Sequence, residues 1–441
     1  MMYFLPWEAH VLTWSEKLYR QMIVAAAPLM RTVLERSSRY RPLAGRFWMQ
    51  PCSVPPGGIW FHACSLGEVN TARPLLRDAE EMWPDCPVLL SASTISGYTR
   101  ASDLAGPGRS YWFPFDDPGS LSRFFNRAAP QVIALVETEI WPGFLAEAAR
   151  RGIPVAVLNG RISDKALPRY RRFGALFRPA FAKLALVAAQ NETYAERFCM
   201  LGVPESRIRI AGSLKFDAVT LEPDPDKQHH LRACLGLSGS GSGAVVVFGS
   251  TRPGDELLAA DCIDALQGDF PEVCWIVAPR HVERADEIDR VLNRFKAVRL
   301  SALRSGKSRP GKVVLADTLG DLTGLYSLAS VAVIGGSFFP GVEGHNPLES
   351  AALGVPTVYG PYMGNFPDAA AALERAGGSL RLADPEQLKE TLRRLLADSE
   401  ERVLVGSRGR KAVQAGQGAV RRNLACLAEI IPSENHGGQG R

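Results

Sequence analysis

From residue 59 onward, short apolar runs alternate with longer stretches in which apolar residues recur at helical spacing. The stretches Asn70–Glu81 and Trp141–Arg151 are examples of these predicted helices. Short apolar runs separated by helices predict βαβ units built around a parallel sheet. In the first half of the chain the predicted strands are Ile59–Ala63, Val88–Ser91, Val132–Val136, Val155–Leu158 and Leu184–Ala189.

The alternation stops between about Leu221 and Gly243, where Glu222–Asp226 and Ser238–Gly243 have the composition of turns and linkers. It then begins again, with predicted strands at Val245–Phe248, Val273–Ala278, Val313–Ala316, Val331–Ile334 and Thr357–Tyr359. We therefore predict two α/β domains, at residues 51–220 and 221–432, and a disordered tail at 433–441. Ligands of such sheets bind at the carboxyl ends of the strands, so the cleft between the domains is the expected site.

The first 50 residues have a pattern of their own, with seven basic and three acidic side chains. The longest apolar run, Met22–Met30, has nine residues, whereas a membrane-spanning helix needs roughly 20. Glu8 and Glu16 precede that run, which argues against a signal peptide. The pattern predicts an amphipathic helix that either lies in a membrane interface or packs on the rest of the protein. Its apolar positions are Leu18, Met22, Ala26, Leu29 and Val33.

The composition narrows the class of protein. Apolar residues make up 46% and charged residues 22%, as in ordinary globular domains. A net charge of +5 over 441 residues, without a clustered basic face, does not predict a nucleic-acid-binding protein. The eight cysteines form no C-x-x-C pair, so they predict reduced thiols of a cytosolic protein rather than a zinc site or a disulfide framework.

Three motifs of the first domain combine turn residues with charged groups. His62–Glu68 joins a strand to a helix, and Glu68 is either a capping acid or a general base. Glu137–Pro142 follows a strand, and its carboxylates either cap a helix or, if the segment is extended, point the same way with coupled ionisation. Gly212–Asp217 places Lys215 beside a glycine turn, which suits an anion but is also common at surfaces.

Three motifs of the second domain have the character of nucleotide-binding loops. Gly249–Glu256 is a glycine- and hydroxyl-rich turn between a strand and a helix, without the ending of a Walker A loop or the dinucleotide fingerprint. Ala278–His281 places Arg280 where it can pair with a phosphate. Gly335–Ser337 leads to Gly344–Ala351, whose acid, Glu349, is suited to ribose hydroxyls.

Taken in order, these segments resemble the 3-deoxy-D-manno-octulosonic acid (Kdo) transferases, over nearly all of residues 58–430. The matching segments are Ser65–Glu68, Glu137–Pro142, Ala189–Glu192, Gly212–Asp217, Pro279–His281, Asp317–Leu322 and His345–Glu349. The resemblance implies a GT-B fold, with two Rossmann-like domains facing across a cleft. It implies CMP-Kdo as donor and a lipid A precursor, the tetraacylated disaccharide bisphosphate (lipid IVA), as acceptor.

The resemblance also assigns roles to residues. Glu68 matches the catalytic base, and Glu137 and Lys215 match groups that support the transition state. The segments that match the CMP-binding residues are Pro279-Arg280, Leu319-Gly320-Asp321 and Asn346-Pro347-Leu348-Glu349. Two departures are visible: relatives often have Met-Gly-Glu at residues 319–321, and residues 36–50 keep little of the usual Arg-Trp-Gly-Glu-Arg-like segment.

The resemblance implies an inverting transferase that needs no metal or other cofactor and acts at the cytoplasmic face of the inner membrane. Its expected partners are the donor, the lipid acceptor and the membrane surface, and not nucleic acid. Two alternatives stay open: another lipid glycosyltransferase of the same fold, such as lipid-A-disaccharide synthase or a UDP-sugar enzyme, and a non-catalytic nucleotide- or lipid-binding protein. A nicotinamide oxidoreductase is disfavoured because the glycine fingerprint is absent from the sequence.

Overall fold

The computed structural model describes residues 12–47, 55–106, 108–237, 243–308 and 311–432. The predicted tail at 433–441, residues 238–242 of the predicted linker and both ends of the 1–50 segment lie outside these ranges. The chain forms two compact units. The first unit comprises the residues up to Asp217 together with those from Gln417 onward, and the second comprises Ala218–Gly416.

The first domain is built on a seven-stranded sheet with the order β3-β2-β1-β4-β5-β6-β7, in which every pairing is parallel. Its strands are β1 (Ile59–His62), β2 (Val88–Ala92), β3 (Ser110–Trp112), β4 (Val132–Val136), β5 (Val155–Gly160), β6 (Leu186–Ala189) and β7 (Ile208–Ile210). Its helices include α1 (Trp14–Arg36), α2 (Leu66–Met82), α3 (Ile95–Ala105), α4 (Pro118–Ala128), α5 (Pro142–Arg150), α6 (Ala166–Arg172), α7 (Gly174–Phe181) and α8 (Glu192–Met200).

The second domain also has a seven-stranded parallel sheet, with the order β10-β11-β9-β8-β12-β13-β14. Its strands are β8 (Val245–Thr251), β9 (Cys274–Pro279), β10 (Val298–Arg299), β11 (Val313–Leu315), β12 (Val331–Ile334), β13 (Thr357–Tyr359) and β14 (Ser379–Arg381). Its helices are α9 (Pro225–Cys234), α10 (Asp255–Leu266), α11 (Ala285–Leu292), α12 (Leu300–Arg304), α13 (Leu322–Tyr326), α14 (Leu348–Ala352), α15 (Pro367–Arg375), α16 (Gln387–Ala397) and α17 (Ser399–Gly416).

The last helix, α18 (Ala419–Ala428), belongs to the first domain, although the sequence pattern had assigned it to the second. Side chains alternate across the first sheet, so that Phe61 faces one buried cluster and Trp60 faces another. Val420, Leu424 and Leu427 of α18 are buried in the cluster of Phe61. Removal of this apolar surface from water explains why the end of the chain returns to the first domain.

Helix α1 has one packed face and one exposed face. Ile23 and Leu34 pack against the buried side chains of Phe47 and Phe115. The exposed face carries a stripe of apolar residues: Trp14, Leu18, Met22, Leu29 and Val33. In the described part of the chain, no helix combines the length and apolar character that crossing a membrane requires.

Candidate active site

Loops that follow β1 and β4 form the switch point of the first sheet, because β1 leads outward to β2 and β3 while β4 begins the other half. The carboxyl ends of parallel strands share one edge of a sheet, and ligands bind in the crevice where the strand order reverses. The two loops contain Glu68 and Glu137. The fold therefore brings two carboxylates that are far apart in sequence to one place.

Glu68 occupies the first turn of α2, where it both caps the helix and lines a pocket. Its carboxylate accepts hydrogen bonds from the Cys64 N–H (2.8 Å) and the Ser65 hydroxyl (3.1 Å). The position of Glu68 is thus compatible with both predicted roles, the capping acid and the general base. Burial and then the charge of Glu137 raise the pKa of Glu68 to about 7, against the lowering effect of the Cys64 hydrogen bond.

Glu137 differs from the extended geometry that the sequence pattern allowed. Its φ of 63° lies in the left-handed region, which is costly for a residue with a Cβ and is found where the surroundings impose it. The backbone turn separates its surroundings from those of Glu139. Glu137 lines the pocket beside Arg161, whose Nη1 lies 4.0 Å from Glu137 Oε2.

Glu139 points instead into a hydrogen-bonded network beneath the loops. Its carboxylate accepts from His62 Nε2 (2.7 Å), the Ser93 hydroxyl (3.0 Å) and Trp141 Nε1 (2.8 Å). Burial opposes ionisation, but the charge and hydrogen bond of His62 and the bond from Trp141 hold the pKa of Glu139 at about 2. Glu139 is therefore ionised at neutral pH and does not act there as a proton acceptor.

The pocket has a volume of about 210 Å³ and belongs entirely to the first domain. Its lining consists of Glu68, Glu137, Thr138, Arg161, Ile162, Ser163, Ala166 and Tyr170. Arg161 was not among the residues predicted from the sequence. A signal for it exists, since Arg161 directly follows the glycine at the end of β5, the strand that pairs with β4.

Lys215 lies in a 3-10 turn, Leu214–Phe216, which follows β7 and packs against α2. The turn is held by buried amides. The Leu214 N–H donates to Asn159 Oδ1 (3.1 Å), and the Asn159 N–H donates to Asn423 Oδ1 of α18 (2.8 Å). The returning C-terminal helix thereby fixes the turn that contains Lys215, which is not one of the residues lining the pocket.

The raised pKa of Glu68 leads to a prediction about pH. If the ionised carboxylate is the active form, kcat/KM should fall as the pH drops below about 7, not below the ordinary glutamate value of 4.5. In a Glu137→Gln variant this acidic limb should move to lower pH, because a charge that raises the pKa of Glu68 is gone. Steady-state rates across pH measure both effects. An acidic limb near pH 4.5 in the wild-type protein would contradict the prediction that Glu68 is the group that titrates.

The second domain has its own switch point, between β8 and β12. Asp255, at the start of α10, ties the two loops together. Its Oδ2 accepts hydrogen bonds from the Arg252 N–H (2.9 Å) and the Gly336 N–H (2.6 Å). The glycine-rich turn after β8 and the glycine loop after β12 are therefore held side by side.

Basic side chains gather at this point. The Arg252 guanidinium donates to His345 Nε2 (3.3 Å), and its Nη1 lies 2.7 Å from His281 Nε2. Burial, with the charges of Arg252 and Arg280, lowers the pKa of His345 to about 4. His345 is therefore neutral at pH 7 and accepts the hydrogen bond, and the guanidinium groups of the two arginines suit an anionic ligand.

The segments Pro279-Arg280 and Asn346–Glu349 adjoin this basic group. Arg280 is exposed just beyond β9, and its N–H is bound to the Thr251 carbonyl (3.1 Å). The Asn346 side-chain amide donates to Glu349 Oε1 (3.2 Å), and its carbonyl accepts from the Leu348 N–H (3.1 Å). Burial raises the pKa of Glu349, and the hydrogen bond from Asn346 and the charge of Arg280 oppose this. Pro347 directly precedes the helix α14 that Leu348 begins.

Leu319-Gly320-Asp321 stands apart from that group. Leu319 and Gly320 are exposed residues, and the Gly320 carbonyl accepts a hydrogen bond from Lys227 Nζ. The Asp321 carboxylate is bound by Arg304 (3.0 Å) and the Thr318 hydroxyl (2.5 Å). Within the described ranges, no hydrogen bond or ion pair joins this segment to Arg252 or the neighbouring histidines. The Asp321 side chain and the Gly320 carbonyl therefore both take part in holding this loop.

Comparisons with known proteins agree with this architecture and these motifs. A sequence model of the family described as 3-deoxy-D-manno-octulosonic-acid transferase (kdotransferase) matches residues 25–218. A 3-deoxy-D-manno-octulosonic acid transferase of Bordetella pertussis is 35% identical over 395 residues, which cover 86% of this chain and 88% of the relative. The Haemophilus influenzae enzyme of the same name is 29% identical over 427 residues, covering 94% and 98% of the two chains.

Solved structures of low sequence identity share the fold. A UDP-GlcNAc 2-epimerase from Neisseria meningitidis superposes with a TM-score of 0.56 at 13% identity, covering 84% of this chain and all of that one. Anabaena HepE superposes with a TM-score of 0.55 at 16% identity, covering 85% and 99% of the two chains. These likenesses confirm the predicted GT-B class with its Rossmann-like domains, and the sequence matches confirm the resemblance on which the site was predicted: the chain belongs to the 3-deoxy-D-manno-octulosonic acid transferases, a family of glycosyltransferases.

Proposed function

We propose that this protein transfers Kdo from CMP-Kdo to lipid IVA, with inversion at the anomeric carbon and with Glu68 as the general base. One observation carries the proposal: Glu68 lines a pocket with Glu137, and its pKa is raised to about 7. A base works best when its pKa is close to the pH at which it operates. A helix cap alone requires neither a second carboxylate nor a pocket.

In the proposed reaction, Glu68 acts on the acceptor hydroxyl and the phosphate of CMP is the leaving group. A hydroxyl oxygen of the acceptor attacks the anomeric carbon of Kdo while Glu68 takes the hydroxyl proton. The bond from that carbon to the phosphate oxygen of CMP breaks, and its electron pair leaves with the phosphate. Attack from the face opposite CMP inverts the anomeric centre. Glu137, held in its strained conformation, and Lys215 support the oxocarbenium-like state and the charges around it.

The second domain supplies the chemistry for the donor. Arg252 and Arg280 carry the positive charges that a CMP phosphate requires, and the neutral His345 offers a polar ring beside them. Glu349 lies in the first turn of α14 and suits the ribose hydroxyls. Leu319 and Gly320 are exposed residues beside Asp321, and this segment suits contact with the nucleotide.

The decisive experiment is turnover of CMP-Kdo with lipid IVA, followed by mass spectrometry. A mass gain of one or more Kdo units supports the proposal, and the size of the gain counts the sugars added. CMP should inhibit the reaction and UDP should not, which separates this enzyme from a UDP-sugar transferase. Binding of CMP without any Kdo-containing product would contradict the proposal and favour a non-catalytic role.

The lipid acceptor calls for a membrane contact, which we assign to α1 at the cytoplasmic face of the inner membrane. Its packed face fixes the helix to the domain, and its exposed apolar stripe is free to enter a lipid interface. The ion pair between Glu16 and Lys183 of the first domain, 2.5 Å long and almost fully buried, further anchors the helix.

Vesicle binding tests this assignment. In a Leu29→Glu/Val33→Glu variant the partition coefficient for vesicles should fall about 100-fold, because two apolar side chains lose their burial in lipid. Flotation with anionic phospholipid vesicles measures the effect. The matched control is Val403→Glu/Leu404→Glu, which alters two exposed apolar residues of α17. Equal flotation of both variants would contradict a role for α1.

A further inference from the structure

The loop after β5 places an arginine, Arg161, in the pocket that Glu68 and Glu137 also line. Asn159, near the end of β5, has a φ of 54°, and the chain turns there toward the carboxyl edge of the sheet. The Thr138 hydroxyl donates to the Arg161 carbonyl (2.6 Å), and the Glu137 N–H donates to the Leu158 carbonyl (2.8 Å). The backbone around Arg161 is thus fixed to the loop that carries Glu137.

The next residues of the loop are fixed as well. The Ile162 side chain is buried, and its carbonyl accepts a hydrogen bond from Arg197 Nη1 (2.5 Å). The Ser163 hydroxyl oxygen accepts from the Ala166 N–H (3.2 Å) at the start of α6. Anchored on both sides, Arg161 has a backbone position that does not depend on what its own side chain binds.

The donors of the Arg161 guanidinium are almost unused. Its side chain is 22% exposed, and its ion pair with Glu137 is 4.0 Å long, the outer limit for such a pair. Within the described ranges the guanidinium forms no hydrogen bond, and it is the one cation among the residues that line the pocket. A guanidinium can bind a carboxylate or phosphate with two parallel hydrogen bonds.

The chemistry of Kdo creates a need for such a group. The carboxylate of Kdo is bonded directly to the anomeric carbon, the atom that the acceptor attacks. A base that takes the acceptor proton lies within hydrogen-bond distance of the attacking oxygen. The sugar carboxylate must therefore come close to Glu68 and Glu137, and without a cation three negative groups would repel one another.

Resting on the proposed function, we propose that Arg161 is a specificity-determining residue that binds the carboxylate of the transferred sugar. It does so opposite Glu137, whose charge keeps the guanidinium in the pocket when no substrate is bound. The same group gives the pocket a preference for an acidic sugar, since a neutral sugar has no carboxylate for the guanidinium to bind. A phosphate of the acceptor is the other oxyanion that Arg161 could bind. The experiment below distinguishes that phosphate from the sugar carboxylate.

The test compares Arg161→Met, Arg161→Lys and the control Arg127→Met, which removes an exposed arginine of α4. Arg161→Met should lower kcat/KM for CMP-Kdo by roughly 10- to 100-fold, as expected for loss of hydrogen bonds to a charged group. Inhibition by CMP, which lacks the carboxylate, should be unchanged. The penalty should be equal with lipid IVA and with acceptors that lack either phosphate, and Arg161→Lys should recover part of the activity.

Three results would overturn the inference. Arg161→Met could match Arg127→Met in activity, its penalty could vanish when one acceptor phosphate is removed, or inhibition by CMP could weaken as much as turnover does. Thermal unfolding of each variant shows whether it is folded. If Arg161→Met is not folded, Arg161→Lys takes its place in the same comparisons. Absence of any Kdo-containing product with the wild-type protein would instead contradict the proposed function itself.

Discussion

A Glu68→Gln substitution is expected to lower kcat by about 10² to 10⁴-fold, the usual contribution of a general base. Glutamine preserves the shape of the side chain, and its carbonyl oxygen can still accept hydrogen bonds from Cys64 or Ser65. What it lacks is the ability to take a proton at neutral pH. The cap of α2 is therefore kept while the base is removed, so that the loss reports on chemistry rather than on folding.

The control for this variant is Glu81→Gln, which removes an exposed carboxylate from the same helix. Turnover of CMP-Kdo with lipid IVA, followed by mass spectrometry, gives the rate for each protein, and thermal unfolding confirms that both are folded. A Glu68→Gln protein with the rate of Glu81→Gln would leave Glu68 as a capping acid only. The base would then have to be sought elsewhere in the first domain.

The interior strands were predictable from sequence and the outer strands were not. The four strands missing from the prediction, β3, β7, β10 and β14, are the edge strands of the two sheets. They contain two or three residues each, and three of them carry partly exposed side chains. Interior strands are covered on both faces and therefore form continuous apolar runs, whereas a short edge strand lacks that signal.

The site shows a similar division between local and long-range information. Glu68 and Glu137 each lie in a short motif directly after a predicted strand, so both could be singled out from the sequence. Arg161 depends on the pairing of β4 with β5, and the surroundings of Glu139 depend on His62, 77 residues away in the chain. The positive φ at Glu137 is likewise imposed by tertiary contacts, since its sequence contains no glycine at that point.

Replacement of Glu139 by leucine should lower the free energy of unfolding by about 3–5 kcal/mol. The substitution leaves three donors without an acceptor: His62 Nε2, the Ser93 hydroxyl and Trp141 Nε1. Each buried donor that loses its partner costs roughly 1–3 kcal/mol, only partly relieved by rearrangement. Urea unfolding followed by tryptophan fluorescence measures the difference, with Glu147→Leu, a half-buried carboxylate of α5, as the comparison.

The lowered pKa of Glu139 predicts how the stability difference between the wild type and Glu139→Leu changes with pH. Because the pKa of Glu139 falls from 4.5 to about 2 on folding, the ionised carboxylate stabilises the native state above about pH 4.5. That contribution, about 3 kcal/mol in full, is lost as the pH falls toward 2. The stability gap between the wild type and Glu139→Leu should therefore narrow on acidification, and a gap that widened would contradict the ion pair.

Removal of both partners separates the pair from its surroundings. The His62 ring lies 3.9 Å from the Phe113 ring, so phenylalanine at residue 62 preserves the aromatic contact while it removes the ring nitrogens. The free energy of unfolding that His62→Phe/Glu139→Leu loses should be smaller, by roughly 1–3 kcal/mol, than the sum of the losses in the two single variants. The reason is that the double variant removes both partners and so leaves no charge that faces an absent partner. Glu139→Leu also removes a charge that raises the pKa of Glu68. The acidic limb of the kcat/KM profile of this variant should therefore shift to lower pH. Strict additivity, with an unmoved limb, would mean that Glu139 is coupled neither to His62 nor to the base.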